Sequence, residues 1–266
     1  QFVVITPSDI KAVNISKQDR NELNAMQQTL AQRAAFAAVI IMGKGVDGSD
    51  DICIVTVHDG PPLENDEIIA NDVGPDHSNF QDPEKFLELG GRRGKQIRVL
   101  TDGTYYINRL FATVEYRPKT VVPIGFVGVV VSFYGEEGVD TTGSDYKHGE
   151  LVANGCKGVL ERPLMPGKYA FNTDAGKVVL VPTTNIILKW NKTETGDHKY
   201  DENLTEVDII TKDAFEPSLP LSVVMHIDYK QAPWVIQRFG DISMLVNQSL
   251  DPLVSAYFKD VAQTKT

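Results

Sequence analysis

Residues 100–108 read Leu100-Thr101-Asp102-Gly103-Thr104-Tyr105-Tyr106-Ile107-Asn108, and residues 164–172 read Leu164-Met165-Pro166-Gly167-Lys168-Tyr169-Ala170-Phe171-Asn172. Each stretch follows a glycine-rich segment, Gly90-Gly91-Arg92-Arg93-Gly94 in the first case and Gly155-Cys156-Lys157-Gly158 in the second. Four pairs of residues share one offset of 64 positions: Gly94 and Gly158, Gly103 and Gly167, Tyr105 and Tyr169, and Asn108 and Asn172. Because glycine reaches backbone geometries that strain other residues, this spacing predicts one β unit that is used twice.

The composition is that of a globular protein, since 42% of the 266 residues are apolar, enough for a packed core. The formal net charge of −10 repels polyphosphate and anionic headgroups unless basic residues gather on one face. We therefore expect no nucleic-acid partner. The two cysteines, Cys53 and Cys156, lie in or beside apolar strand-like runs without metal-binding spacing. They are interpreted as buried small hydrophobic residues.

No stretch is apolar for long enough to cross a membrane. The longest apolar run, Ala34 to Met42, is less than half of the roughly 20 residues that a membrane-spanning helix needs. The chain begins at Gln1 without an initiator methionine, so we expect further sequence upstream, where an anchor has room.

The N-terminal part combines a strand and a helix. Phe2 to Ile5 is predicted as a short strand. Apolar residues at steps of three and four then predict an amphipathic helix from about Lys17 to Ala38, with a strand as the alternative for its apolar end. The three glycines between Gly43 and Gly48 must interrupt whatever precedes them.

From Ile52 onward, short β-branched runs alternate with turn signals. The turn dipeptides Asp102-Gly103 and Pro166-Gly167 make each repeat a mostly antiparallel β unit. The predicted strands are Ile52–Val57, Gln96–Leu100, Tyr105–Ile107, Phe126–Phe133 and Val178–Val181.

The C-terminal part predicts strands followed by helices. Alternation over Thr205–Thr211 and, more clearly, over Leu219–Tyr229 predicts strands with one buried face. Pro233 suits a first helical turn that Gly240 ends, and Asp241 is predicted to cap a second helix. Asp251-Pro252 is predicted to restart this helix, with Asp251 as its cap and Pro252 at its first position, and no terminator follows by Thr266.

Together these elements predict an α+β fold in which serial antiparallel β modules precede a sheet covered by helices on one face. Four segments are expected. They are residues 1–51, an N-terminal strand and helical insertion; 52–125, a first β module; 126–200, a second β module; and 201–266, a sheet-plus-helices unit.

The repeats and the terminal strand-strand-helix-helix block resemble the SPFH superfamily, the stomatin, prohibitin and flotillin group that is also called Band 7. The similarity is greatest to a bacterial, flotillin-like subgroup with an extra β module, and it covers roughly Ile52 to Thr266. The segment from Ser16 to Asp51 departs from the family pattern and is interpreted as an insertion. The residues that carry the resemblance are Gly158–Tyr169, Val178–Asn185, Ile209–Phe215 and the helices from Ala232 to Ala262.

The resemblance implies a tethered, self-assembling protein. Members are typically held at a membrane by an N-terminal anchor and form rings or cages through a long helical region after the domain. It thus implies a homo-oligomer with lateral subunit contacts, a membrane link upstream of Gln1, membrane-protein cargo, and a place on the cytoplasmic face of a bacterial membrane. The family has no catalytic motif, so no residue role is transferred.

The residues themselves point to no catalytic, cofactor-binding or metal site. Gly90–Lys95 lacks the Gly-Lys-Ser/Thr and the following helix of a phosphate-binding loop, so a tight turn is predicted. Asp47–Asp51 lacks the ligand order of a calcium loop and is predicted to be a solvated acidic turn. The five histidines are scattered, which favours surface or hydrogen-bonded roles.

Trp234 and Phe239 are predicted to pack a short helix on the sheet, with a membrane interface as the alternative.

The sequence therefore favours a non-enzymatic, membrane-associated scaffold that oligomerises into a ring or cage and organises membrane microdomains. The alternative is a soluble or extracellular β-repeat interaction module of an envelope assembly. A hydrolase ranks far below both.

Overall fold

The computed structural model describes residues 36–41, 50–64, 67–141, 151–191, 199–212 and 215–264. The predicted strand Phe2–Ile5, most of the predicted helix and the glycine-rich segment Gly43–Gly48 lie outside these residues. The fold is α+β, with several antiparallel sheets and a long C-terminal helix, as predicted.

The strands are β1 (Phe36–Ile41), β2 (Asp51–Val57), β3 (Gly94–Leu100), β4 (Gly103–Asn108), β5 (Ala112–Pro118), β6 (Thr120–Val122), β7 (Phe126–Ser132), β8 (Glu136–Glu137), β9 (Leu151–Val152), β10 (Cys156–Leu160), β11 (Gly167–Tyr169), β12 (Gly176–Pro182), β13 (Ile186–Trp190), β14 (Val207–Asp208), β15 (Ser218–Leu219) and β16 (Leu221–Met225). The helices are α1 (Pro83–Glu88), α2 (Ala232–Phe239), α3 (Ile242–Leu245) and α4 (Asp251–Thr264), with a π-helical turn over Val246–Leu250. The five predicted strands between Ile52 and Val181 are all confirmed, as β2, β3, β4, β7 and β12.

The chain divides into two compact units. The first unit holds residues 1–120 and 169–175, and the second holds 121–168 and 176–266. The chain thus leaves the first unit after Thr120 and re-enters it for seven residues, 169–175. The four segments expected from the sequence are a different, finer division, which stays a prediction.

The first β module, β1–β5, is built around β2. β2 lies between β3 and β5 and is antiparallel to both, while β4 pairs with β1, the strand that precedes β2. On its other edge β3 receives one parallel bridge, from Ala70 to Gln96. Gly94 pairs with Val57, the last residue of the central strand.

The second β module, β6–β12, repeats this arrangement around β7. β7 lies between β10 and β12, antiparallel to both, and β11 pairs with β6, the strand that precedes β7. The other edge of β10 pairs with the parallel strand β9, through Leu160 and Val152. Leu160 lies 64 residues after Gln96, the residue that forms the parallel bridge in the first module. Gly158 pairs with Ser132, again the last residue of the central strand. The predicted double use of one β unit is confirmed.

The offset of 64 residues continues past the predicted pairs. Each asparagine forms the same turn: the Asn108 carboxamide oxygen accepts from the Leu110 amide at 2.9 Å, and that of Asn172 accepts from the Asp174 amide at 3.0 Å. This Asx turn leads into β5 in one module and β12 in the other, and both strands end in proline, at Pro118 and Pro182.

The first unit has its own apolar core under helix α1. Phe86 of α1 is fully buried and meets the Phe111 ring edge-on, with ring centroids 5.5 Å apart. The carboxylate of Asp82 caps the helix by accepting from the Lys85 amide, and Pro83 occupies its first turn. A Cβ at Gly91 would lie 2.2 Å from the Phe86 ring. The backbone can therefore lie this close to the ring only because residue 91 is glycine.

The second unit has two apolar clusters, each formed by strands and helices. In one, Ala232 and Ile236 of α2 pack with Val127 and Val129 of β7. In the other, Ile186, Leu188 and Trp190 of β13 pack with Val246 of the π turn and Val254 of α4. The predicted sheet with helical cover is therefore present here.

The apolar end of the predicted N-terminal helix is a strand. The helix was expected to reach Ala38, whereas Phe36–Ile41 pairs antiparallel with β4 along its whole length. The alternative reading was correct for this end, because the ladder with β4 outweighs the local helical periodicity.

The predicted alternating strand is confirmed but shorter. It occupies β15 and β16, separated by Pro220, and the alternation of burial continues to Ile227. Tyr229 was expected on the buried face and is exposed. The reason is a turn in which the Asp228 carboxylate and carbonyl accept from the Lys230 and Gln231 amides, which bends the chain into α2.

Asp241 and Gly240 act as predicted, but Asp251 does not cap a new helix. Asp241 accepts from the Ile242 amide at 2.6 Å, and Gly240 ends α2 with φ of 78°. Asp251 has helical backbone angles and accepts from Trp190 Nε1 at 2.8 Å. The π turn before it accommodates Pro252, which lacks the amide proton of a regular helix.

Candidate functional site

The glycine-rich segment before β3 is a turn, as predicted. Gly90 follows α1 with φ of 84°, and the chain enters a strand at Gly94 rather than a helix. Lys95 lies in that strand, where its Nζ atom is 2.6 Å from a carboxylate oxygen of Asp174. The lysine is thus committed to an ion pair inside the first unit.

The other residues weighed for chemistry are dispersed. Cys53 is buried, and burial together with the nearby Asp51 charge raises the pKa of its thiol to about 11. Cys156 was expected to be buried as well and is only half-buried, because it begins the short strand β10. His58 and His226 are exposed, whereas His77 is buried and hydrogen-bonded. Within the described ranges no three metal-ligating side chains of His, Cys, Asp or Glu cluster together.

The acidic turn is only partly described. Asp47 to Ser49 lie outside the described residues. The Asp50 carboxylate is 2.5 Å from Lys119 Nζ, so this carboxylate neutralises a lysine.

The most unusual surface of the second unit is an apolar end formed by three loops, residues 121–125, 161–168 and 182–185. In the first loop, a turn over Pro123–Phe126 places Ile124 at its tip, where 92% of the residue is exposed. Gly125 has φ of 89°, the conformation that this turn requires of its third residue. Its carbonyl accepts from the Thr183 amide at 2.8 Å, which joins the first loop to the third.

The second loop is pinned to the start of β7. The Gly128 amide donates to the Leu164 carbonyl at 2.8 Å, and the Leu164 amide donates back at 2.7 Å. A Cβ at Gly128 would lie 2.6 Å from Val178 and 3.4 Å from Leu164, so glycine permits this approach. The next residue, Met165, is half-exposed. Ile124 and Met165 are therefore held outward on a defined backbone.

The charge of this end departs from that of the chain. The three loops carry Arg162 and Lys168 against Glu161, which is a net charge of +1, while the whole chain carries −10. Val121 adds a third exposed apolar side chain. Apolar side chains with basic residues beside them suit the surface of a membrane. There an apolar hydrocarbon region lies below a headgroup layer that carries anionic lipids.

Helix α2 presents a second, weaker candidate for a binding surface. Ala232 and Ile236 pack on the sheet, as predicted for this helix, but Trp234 and Phe239 are only half-buried. They line a shallow hollow of about 360 Å³, in which the Arg238 guanidinium lies 5.9 Å from the Trp234 ring. Partial burial does not decide between packing on the sheet and a membrane interface, so the role of both aromatic residues stays a prediction.

The second unit has two further exposed faces that are apolar, one on strands β13 and β16 and one on helix α4. Ile187 of β13 and Val224 of β16 form a cross-strand pair on the side opposite the core, and both are exposed. Leu253 and Tyr257, four residues apart on α4, are exposed, while Val254 and Phe258 face the core. Such faces suit contacts with further protein surfaces.

Sequence reasoning did not find the apolar end. Its signal was nonetheless present as four prolines, Pro123, Pro163, Pro166 and Pro182, beside apolar residues in segments almost without acidic residues. Among the helices that the structure describes, none has both the length and the apolar composition needed to cross a bilayer.

No family model matches the chain, and comparisons with curated proteins and with solved structures find no match.

Proposed function

We propose that this chain is a subunit of a non-enzymatic, membrane-associated scaffold of the SPFH type. In this proposal subunits assemble side by side into a ring or cage, gather membrane-protein cargo and organise membrane microdomains. The duplicated β module followed by a helix-covered sheet is compatible with that family, and the proposed place of action is the cytoplasmic face of a bacterial membrane.

The observation that carries the proposal is the apolar end of the second unit. Removing a side chain such as that of Ile124 from water contributes about 1.5–3 kcal/mol. Arg162 and Lys168 add attraction to anionic headgroups, worth about 1 kcal/mol for each basic residue near the surface, and the carboxylate of Glu161 in the same loop offsets part of it. These contributions give weak binding for one subunit, which suits a protein that is also tethered or assembled.

Assembly supplies the remaining affinity in this proposal. A contact between two different faces of neighbouring subunits closes into a ring when the rotation between them permits. The exposed pair Ile187 and Val224 and the exposed stripe of Leu253 and Tyr257 offer apolar faces for such contacts. Many weak membrane contacts, linked in one assembly, then multiply into stable attachment.

The test is flotation of the chain with vesicles that contain about one-third anionic phospholipid. We expect the unmodified chain to float with these vesicles and less with neutral ones, because the basic residues favour anionic headgroups. The double variant Ile124→Glu/Met165→Glu should float roughly tenfold less, because it replaces the apolar contacts by carboxylates.

A matched control separates this effect from added charge alone. Val139→Glu/Leu110→Glu introduces two carboxylates at apolar residues that are 82% and 72% exposed outside the apolar end, and it should float like the unmodified chain. Equal loss in both double variants would contradict the proposed surface. No flotation of the unmodified chain, with assembly in solution as seen by mass photometry, would favour the envelope module instead.

A further inference from the structure

His77 is a fully buried histidine inside an aromatic cluster of the first unit. Its ring centroid lies 4.6 Å from that of Phe80 and 5.2 Å from that of Phe86. The proposed membrane surface lies in the second unit and makes no use of this residue. A buried ionisable group with two phenyl neighbours is costly to charge.

One ring nitrogen holds a strained turn. His77 Nδ1 accepts a hydrogen bond from the Phe80 amide at 2.8 Å. Ser78, Asn79 and Phe80 have φ of 51°, 54° and 66°, so three successive residues other than glycine are left-handed. This conformation costs roughly 1–2 kcal/mol per residue and persists only where surrounding contacts enforce it.

The turn positions helix α1, which covers the aromatic core of the first unit. The His77 carbonyl accepts from the amide of Asp82, the residue that caps α1, and α1 carries the buried Phe86. Gln81 accepts from the Tyr106 amide at 2.9 Å, which joins the end of the turn to β4. Release of the turn would therefore loosen both α1 and its link to the sheet.

Protonation is incompatible with this arrangement. An imidazole whose Nδ1 accepts a hydrogen bond carries its proton on Nε2, and a second proton on Nδ1 would remove the acceptor for Phe80. Among the described residues Nε2 has no partner within hydrogen-bond geometry, and the carbonyls of Gly74 and His77 nearby do not outweigh the cost of charging the buried ring.

The groups around the ring keep it neutral. Burial lowers the pKa of His77, and the Arg98 guanidinium on β3 lowers it further. The Gly74 and His77 carbonyls and the Asp72 carboxylate act in the opposite direction and do not restore the ordinary value of 6.5. The other neighbours, Phe80 of the turn and Phe86 of α1, face the imidazole with phenyl rings.

We infer that His77 is an acid-sensitive latch, whose protonation breaks the Phe80 hydrogen bond, releases the left-handed turn and opens α1 from the first unit. A histidine that is harder to protonate in the folded state contributes stability above its unfolded pKa, and this stability is lost as the pH falls. The open fraction should rise by up to about tenfold for each pH unit below 6.5.

The test is amide hydrogen exchange on the whole chain at pH 7.5 and 5.5, corrected for intrinsic exchange rates. We expect the protection of the Phe80 and Gly91 amides to fall by up to about tenfold at pH 5.5. Amides of β7 in the second unit should keep their protection. His77→Asn keeps an acceptor near the Phe80 amide without titrating, and should remove the pH response. His226→Asn, at an exposed histidine, should respond like the unmodified chain.

A second measurement keeps the inference testable where His77→Asn fails to fold. In the unmodified chain, the imidazole of His77 is titrated by NMR alongside Phe80 exchange. Coincident midpoints support the latch. Protonation of His77 with Phe80 still protected would overturn it, as would a pH response that survives in His77→Asn or protection that is unchanged at pH 5.5.

Discussion

The two β modules share their strand pairing but differ in what their loops carry. Between β2 and β3 the first module has residues 58–93, which include α1 and close an aromatic core. Between β7 and β10 the second module has residues 133–155, and the described parts of this loop, 133–141 and 151–155, hold two short strands. The two modules thus share their strand pairing and the Asx turn, and they differ in the loops that connect the strands.

The difference is sharpest at one equivalent position. Met165, half-exposed at the apolar end, corresponds at the offset of 64 residues to Thr101. Thr101 is followed by Asp102, whose carboxylate lies 3.0 Å from Lys119 Nζ. The same loop is therefore polar and ion-paired in the first module and apolar in the second, a difference that the proposed membrane surface requires.

The largest expected effect comes from disrupting the aromatic core of the first module. Phe86→Ala should lower the free energy of unfolding by about 3–5 kcal/mol, because it leaves a cavity among Phe80, Phe111 and His77. Denaturant unfolding measures the loss, and hydrogen exchange should assign it to β2 rather than β7. Leu87→Ala, at a partly exposed neighbour on the same helix, should cost under about 1 kcal/mol. Equal loss in both modules would show that their cores are not separate.

A smaller effect should separate the two equivalent asparagines. Asn172 is buried and its Nδ2 also donates to the carbonyls of Gln96 and Ile97, at 2.9 and 3.2 Å. Asn172→Ala should therefore cost about 2–3 kcal/mol, because it leaves buried carbonyls unpaired. Asn108→Ala loses the Asx turn and should cost about 0.5–1 kcal/mol. Thermal unfolding of both variants makes the comparison, and equal costs would mean that the turn alone matters.

The smallest effect leaves stability unchanged and concerns the two thiols, one in each module. At pH 8 the Cys53 thiol, with a pKa of about 11, is almost entirely protonated and is buried. The thiolate is the reactive form, and a pKa of about 11 in place of 9.0 lowers its fraction at Cys53 by about 100-fold, so a maleimide should modify the more exposed Cys156 faster. Mass spectrometry of the modified peptides measures both rates. Cys53→Ser identifies the fast site, and comparable rates in the unmodified chain would contradict the burial of Cys53.

The repeated geometry was readable from the sequence because its residues are unusual in kind. Glycines at strand starts and asparagines at Asx turns have backbone roles that few residues share, so their offset predicted a common structure. Helix α1 was not predicted, although Asp82-Pro83 carries both a capping residue and a first-turn proline.

Other features depend on distant partners and were beyond local patterns. Phe36–Ile41 continues the helical spacing of the residues before it, and only its pairing with β4 makes it a strand. Asp251 has the sequence context of a helix cap. In the structure its carboxylate instead accepts a hydrogen bond from the indole N–H of Trp190, 61 residues earlier in the chain. The apolar end joins three loops that are far apart in sequence, so its low acidity is visible only once the strands bring them together. Its role in membrane binding stays a prediction.

The return of residues 169–175 to the first unit has a consequence for biosynthesis. A ribosome that has released Thr120 has not yet supplied Asn172 or Asp174, which complete hydrogen bonds to β3. At roughly 5–20 residues per second, translation of the 55 residues from Val121 through Ala175 takes about 3–11 seconds. During this interval the nascent first unit lacks the contacts of Asn172 and Asp174 with β3, so it is completed only after residues 121–168 have been made, and a fragment that ends at Thr120 would lack these contacts.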